Sequence, residues 1–83
     1  MKPKKNLFVR SRAIQGKLYI INKHDAYLLD STEEFIWGSI DGENELEDII
    51  KKVAVKYDEN PSDIQQDIEE FINSLQENNL IKY

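Results

Sequence analysis

The side chains able to do chemistry in this sequence are few, and their spacing argues for display and against catalysis. His24 is the only histidine, and it falls in a polar break between two apolar runs. Without a second histidine or a cysteine it has no partner for a zinc site, and a solvated turn residue is poorly placed as a general base. The sixteen Asp and Glu residues lie mostly on the polar sides of amphipathic segments, which reads as a solvated acidic surface. Three scattered glycines cannot form a phosphate loop or a nucleophile elbow. The chain has no cysteine, so disulfides and thiolate metal ligands are excluded. The expectation is a protein with no catalytic residues, no metal and no cofactor.

Asp30-Ser31 is the one pair that invites a covalent reading, because a serine after aspartate at a helix start is the attachment site in acyl carrier proteins. Those carriers are helical throughout and follow the pair with an apolar residue. Here Thr32-Glu33-Glu34 follows and strand-like sequence precedes. Ser31 is better explained as a helix N-cap, its hydroxyl accepting from the Glu34 amide while the Glu34 carboxylate reaches back.

The elements that position these residues are legible from periodicity. Residues 1–6 read as a frayed polar tail. A first strand is expected over 7–14, a turn at Gln15-Gly16, and a second strand over Lys17–Asn22, rich in aromatic and β-branched residues. A third strand follows over 26–30. Phe35, Ile36, Trp37 and Ile40 make a first, heavily buried helix, stopped by Asp41-Gly42. Asn44 with Glu47 repeats the capping pattern. Leu46, Ile49, Ile50, Val53, Ala54 and Tyr57 form an amphipathic helix. Asn60-Pro61 opens a third helix with Ile64, Ile68, Phe71, Ile72 and Leu75 as its stripe, closed by Asn78-Asn79. Leu80 and Ile81 are expected to fold back onto the core. Three strands followed by three helices make an α+β, winged-helix-like domain spanning 1–83.

An 83-residue chain buries roughly 60–65% of its unfolded surface, enough for one modest core. Its 40% apolar and 33% charged residues are ordinary for a soluble domain. No segment reads as a secretory signal or a membrane span, and the expected location is cytoplasmic, away from any membrane. Charge is divided sharply. Residues 1–24 hold seven Lys/Arg and no acid; residues 25–83 hold sixteen acids and four Lys/Arg. An acidic body argues against nucleic acid as a partner.

The hairpin carries the strongest binding signal. A half-solvated sheet alternates apolar and polar residues. Here Leu18 and Ile20 point one way, Tyr19 and Ile21 the other, and 26–29 is similarly apolar on both faces. Either the tail or first strand covers the second face, or an apolar face lies open beside a strand edge suited to β-augmentation.

The ordered series Tyr27-Leu28-Leu29-Asp30-Ser31-Thr32-Glu33-Glu34-Phe35-Ile36-Trp37, Ile40-Asp41-Gly42, Glu47-Asp48-Ile49-Ile50, Tyr57, Asp67-Ile68-Glu69-Glu70-Phe71-Ile72, Leu75 and Asn78-Asn79-Leu80-Ile81 closely resembles the PqqD-like family. These are RiPP recognition elements, winged-helix-like domains that bind the leader of ribosomally synthesised precursor peptides. The resemblance implies a non-enzymatic protein that takes a leader as an added antiparallel strand and hands the precursor to a separate leader protease or modifying enzyme. A stand-alone copy resembles the leader-binding protein of a lasso-peptide pathway, a form of antibiotic biosynthesis. On matching positions, Ala26, Tyr27, Leu28, Leu29 and Asp30 would supply backbone hydrogen bonds, with Tyr27 and Leu29 adding side chains. Ile64, Asp67, Ile68 and Phe71 would form the opposite wall. The rival reading is a winged-helix DNA-binding regulator. Its recognition helix would be residues 61–78, which carry Asp63, Asp67, Glu69, Glu70 and Glu77 and no Lys or Arg, a poor match for phosphate.

Overall fold

The computed structural model describes residues 2–23 and 25–83. His24 therefore lies outside the described residues, as does Met1. Among the described residues five strands and three helices follow in the order β1 (Lys4–Lys5), β2 (Arg10–Ile14), β3 (Lys17–Asn22), β4 (Asp25–Leu29), α1 (Ser31–Ser39), α2 (Leu46–Tyr57), α3 (Pro61–Glu77) and β5 (Ile81–Lys82). The expected three-stranded antiparallel sheet is β2-β3-β4, and three helices follow it.

The β2–β3 turn is built from Gln15 and Gly16, both at positive φ (52° and 77°), the conformation of a two-residue type I′ hairpin. That turn fixes the β2–β3 register, with Ile14 opposite Lys17. Between β3 and β4, Ile20 pairs with Tyr27 and Leu18 with Leu29, so these four side chains share the face turned to the helices. Ile20 is completely buried and Leu29 is buried; Leu18 and Tyr27 pack at the rim of the core. Tyr19 pairs with Leu28 and with Arg12 on the opposite face. No described element covers that face: Leu28 is exposed and Tyr19 and Ile21 are half-exposed. The two-faced apolar pattern thus resolves into one core face and one open face.

Two start signals shift by one residue from the expected positions. The α1 N-cap is Asp30, not Ser31. The Asp30 carboxylate accepts from the Glu33 amide at 2.8 Å, and the Glu33 carboxylate accepts from the Asp30 amide at 2.9 Å. Aspartate supplies the same acceptor as serine plus a charge at the positive end of the helix dipole. At α2 the cap is Glu45, whose amide donates to Asp48. Asn44 is drawn elsewhere: its side chain donates to the Ser39 carbonyl and to Asp41. The Asp41 carboxylate in turn accepts from the Glu43 and Asn44 amides, and these backbone hydrogen bonds hold its pKa below the ordinary carboxylate value. The corrected cap makes a prediction. Asp30→Ala should cost about 1 kcal/mol in urea unfolding, whereas Ser31→Ala should cost only a few tenths. Equal losses would restore Ser31 as the cap.

The third helix starts as expected, with the Asn60 side chain accepting from the Ser62 amide ahead of Pro61. Its end is a Schellman motif. Asn79 takes a left-handed φ of 60°, its amide donates to Gln76, and the Leu80 amide donates to Leu75. This turn drives Leu80 and Ile81 into the core, at 1% and 2% exposure.

The expected frayed tail is not seen in its described part. Pro3 is fully buried, and Lys4–Lys5 pairs antiparallel with Ile81–Lys82. The Gly42 amide donates to the Pro3 carbonyl, and the Asn6 amide donates to the Leu80 carbonyl. The Lys5 ammonium sits 5.0 Å from the Trp37 ring centre, and desolvation pushes its pKa down against the opposing pull of Asp41. The expected strand over 7–14 begins only at Arg10, because a turn closed by the Val9 amide on the Asn6 carbonyl takes up residues 6–9.

Candidate peptide-binding groove

In the β2-β3-β4 sheet, β4 is an edge: one side pairs with β3 and no described strand pairs with the other. An edge strand offers a row of unpaired amides and carbonyls to any extended chain that reaches it. Little in β4 blocks approach. Asp25, Ala26 and Leu28 are exposed, and there is no proline or inward-pointing lysine along it.

The helix α3 runs alongside. Near its start, Ile64, Asp67, Ile68 and Phe71 line a cavity of about 360 Å³ together with Asp30, the residue that follows β4. Near its end, the Asn78 carboxamide accepts from the Tyr27 hydroxyl at 3.5 Å, a long contact, and the Asn78 carbonyl accepts from the Asn22 side chain at 3.4 Å. The helix is therefore antiparallel to β4, and the two enclose a groove.

Five of the residues singled out from the sequence meet at this cavity: Asp30, Ile64, Asp67, Ile68 and Phe71. Ile68 is 3% exposed and forms floor, while Ile64 and Phe71 are half-buried and form wall. Asp67 is exposed, and its carboxylate makes no hydrogen bond or ion pair with any described residue, so it is free to meet a ligand. The other four do not line it. Leu29 belongs to the core, Ala26 and Leu28 lie on the open face, and Tyr27 stands at the far end of the groove.

The cavity also has walls that the sequence reading passed over. Thr32, Glu33 and Ile36 come from the first turns of α1; Val53 and Tyr57 come from the end of α2 and Glu59 from the loop after it. Their apolar members belong to stripes already recognised as core. What no periodicity reveals is that the three helices part here and leave a gap. The rim carries Asp30, Glu33, Glu59 and Asp67 over a floor of Ile36, Val53 and Ile68. This arrangement suits an amphipathic side chain; among the described residues no group of His, Cys, Asp and Glu is placed to hold a metal.

Comparison with known proteins places the chain. A search of curated proteins finds no match. Among solved structures, TbiB1 in complex with the TbiA(beta) leader peptide superposes with a TM-score of 0.83 at 18% identity, covering 95% of this chain and 94% of that one. The solution NMR structure of the PqqD truncation of Methylobacterium extorquens PqqCD, described as a stand-alone RiPP recognition element, superposes with a TM-score of 0.81 at 22% identity. It covers 98% of this chain and 88% of that one. At such identities these likenesses establish the fold. The family model for coenzyme PQQ synthesis protein D matches residues 17–81, most of the sequence, and the chain belongs to the PqqD family.

Proposed function

We propose that this protein is a non-catalytic recognition domain that captures the leader of a ribosomally synthesised precursor by β-strand addition. The observation that carries the reading is the open β4 edge running into a cavity walled by α3. Backbone pairing along Ala26–Asp30 gives affinity for any extended segment, and the cavity selects one side chain of it. The same combination, a fold of this kind with a leader peptide bound, is named for TbiB1. Delivery follows from tethering. A leader held here raises the effective concentration of the trailing peptide at a separate leader protease or modifying enzyme in the cytoplasm, as in lasso-peptide biosynthesis. The acidic α3, which would be repelled by phosphate, disfavours the DNA-binding alternative.

Calorimetric titration with a synthetic leader, taken from the precursor encoded beside this gene, tests the proposal. Saturable binding is expected; no heat at about 100 µM protein, a concentration that detects interactions of about −5.5 kcal/mol, would exclude it. Asp67→Ala and Tyr27→Ala should each weaken the leader several-fold while the thermal midpoint of Asp67→Ala stays put. Wild-type affinity in both variants would move the site off this groove.

A further inference from the structure

The cavity beside Asp67 occupies one end of the β4 edge, and the structure has a second cavity at the other. Asp25 and Tyr27 of β4 line this one, about 630 Å³ in volume, and its far wall is Leu7 and Phe8. These two side chains are 86% and 81% exposed, the largest apolar exposure in the amino-terminal third. They are not on a loose end. The Val9 amide closes their turn on Asn6, the Asn6 amide is tied to Leu80, and its side chain donates to the Asn79 carbonyl. A fixed turn that holds two large apolar groups in water marks a contact surface.

We propose that the peptide captured along β4 is gripped at two points: one side chain enters the cavity beside Asp67, and a second, apolar residue packs on Leu7 and Phe8. The inference rests on the peptide-binding reading above and adds a second recognition element to it. Continuity argues for the occupant. Asp25 and Tyr27 of β4 line the second cavity and Asp30, the residue directly after β4, lines the first, so a chain paired along the whole strand and one residue beyond it reaches both. Five strand residues at about 3.3 Å each set the two anchors roughly 16 Å apart, about five peptide residues. The second site has no net charge, Lys23 and Lys82 standing against Asp25 and Glu77, so its selective surface is the apolar pair Leu7 and Phe8. The two ends therefore select differently, one under an acidic rim and one on Leu7 and Phe8.

The test uses the full chain carrying Leu7→Ser and Phe8→Ser together. Titrations employ the same synthetic leader, intact and shortened by four residues from either end. Both side chains are exposed, so the thermal midpoint should match the wild type. The intact leader should bind about tenfold more weakly, the effect of losing roughly 60 Å² of apolar contact. With one of the two shortened peptides, wild type and variant should bind equally, because the second anchor is gone. The inference is overturned if the variant binds the intact leader as the wild type does, the result expected if Leu7 and Phe8 meet a partner enzyme or a second copy instead. It is also overturned if the loss is the same with both shortened peptides. If the wild type itself fails to bind the leader, the peptide-binding reading falls, and that outcome is visible before any variant is made.

Discussion

Ile64→Trp should block peptide capture while leaving the domain folded. Ile64 is half-buried in the cavity wall on the outer turn of α3, so a larger side chain there has solvent on one side and the cavity on the other. It can occupy the cavity without displacing Ile68 or Ile72 beneath. A filled pocket loses the anchoring side chain and leaves only backbone pairing, which is worth little for a single added strand. Binding of the leader should fall by at least about tenfold, a change of roughly 1.4 kcal/mol. Val55→Trp is the matched control. Val55 is 83% exposed and lines no part of this cavity, so the same bulk there should change neither affinity nor stability. Calorimetry and a thermal melt on both variants check the pair. Normal binding by Ile64→Trp would show that the leader does not use this cavity.

Ile72→Ala should have the largest effect on stability. Ile72 is completely buried at the middle of α3, with Ile68 and Leu75 one turn to either side. Truncation removes its contacts and leaves a void that the surrounding helices cannot fully close, at a cost of about 3 kcal/mol. In a domain of this size that lowers the melting temperature by roughly 15 °C. A loss below about 1 kcal/mol in chemical unfolding would mean that α3 packs less closely than the structure shows. Such a variant should also bind the leader more weakly, since α3 is half of the groove.

The helices and the hairpin were readable from local pattern because their signals are local. The stripe Leu46, Ile49, Ile50, Val53, Ala54 and the Asn60-Pro61 start each describe one element by itself. The caps were readable only to within a residue. Asp-Ser-Thr-Glu-Glu contains two overlapping capping boxes, and local chemistry alone does not choose between Asp30 and Ser31. The choice is made by the sheet, which ends at Leu29 and leaves Asp30 extended. The β1–β5 pairing was invisible because Lys4 and Lys5 have neither apolar periodicity nor β-branching; their partners lie at the other end of the chain. For the groove, family resemblance supplied the wall residues Ile64, Asp67, Ile68 and Phe71. The contribution of Glu33, Val53, Tyr57 and Glu59 depends on where three helices diverge, a tertiary property with no spacing of its own.

The pairing of β1 with β5 has a kinetic consequence. It closes nearly the whole chain into a ring: the Asn6 side chain meets Asn79 across 73 residues of sequence. Bringing segments so distant together costs roughly 4 kcal/mol of chain entropy, against which only two-residue strands are set. That balance makes the pairing a late step in folding, formed once the helices have already brought Leu80 and Ile81 to the core. It also makes the pairing an early step in opening, so the amides of residues 4–6 should exchange with solvent well before those of α3. Leu7 and Phe8 are carried on that same segment, so the stability of this small clasp governs how long they are held beside the end of β4.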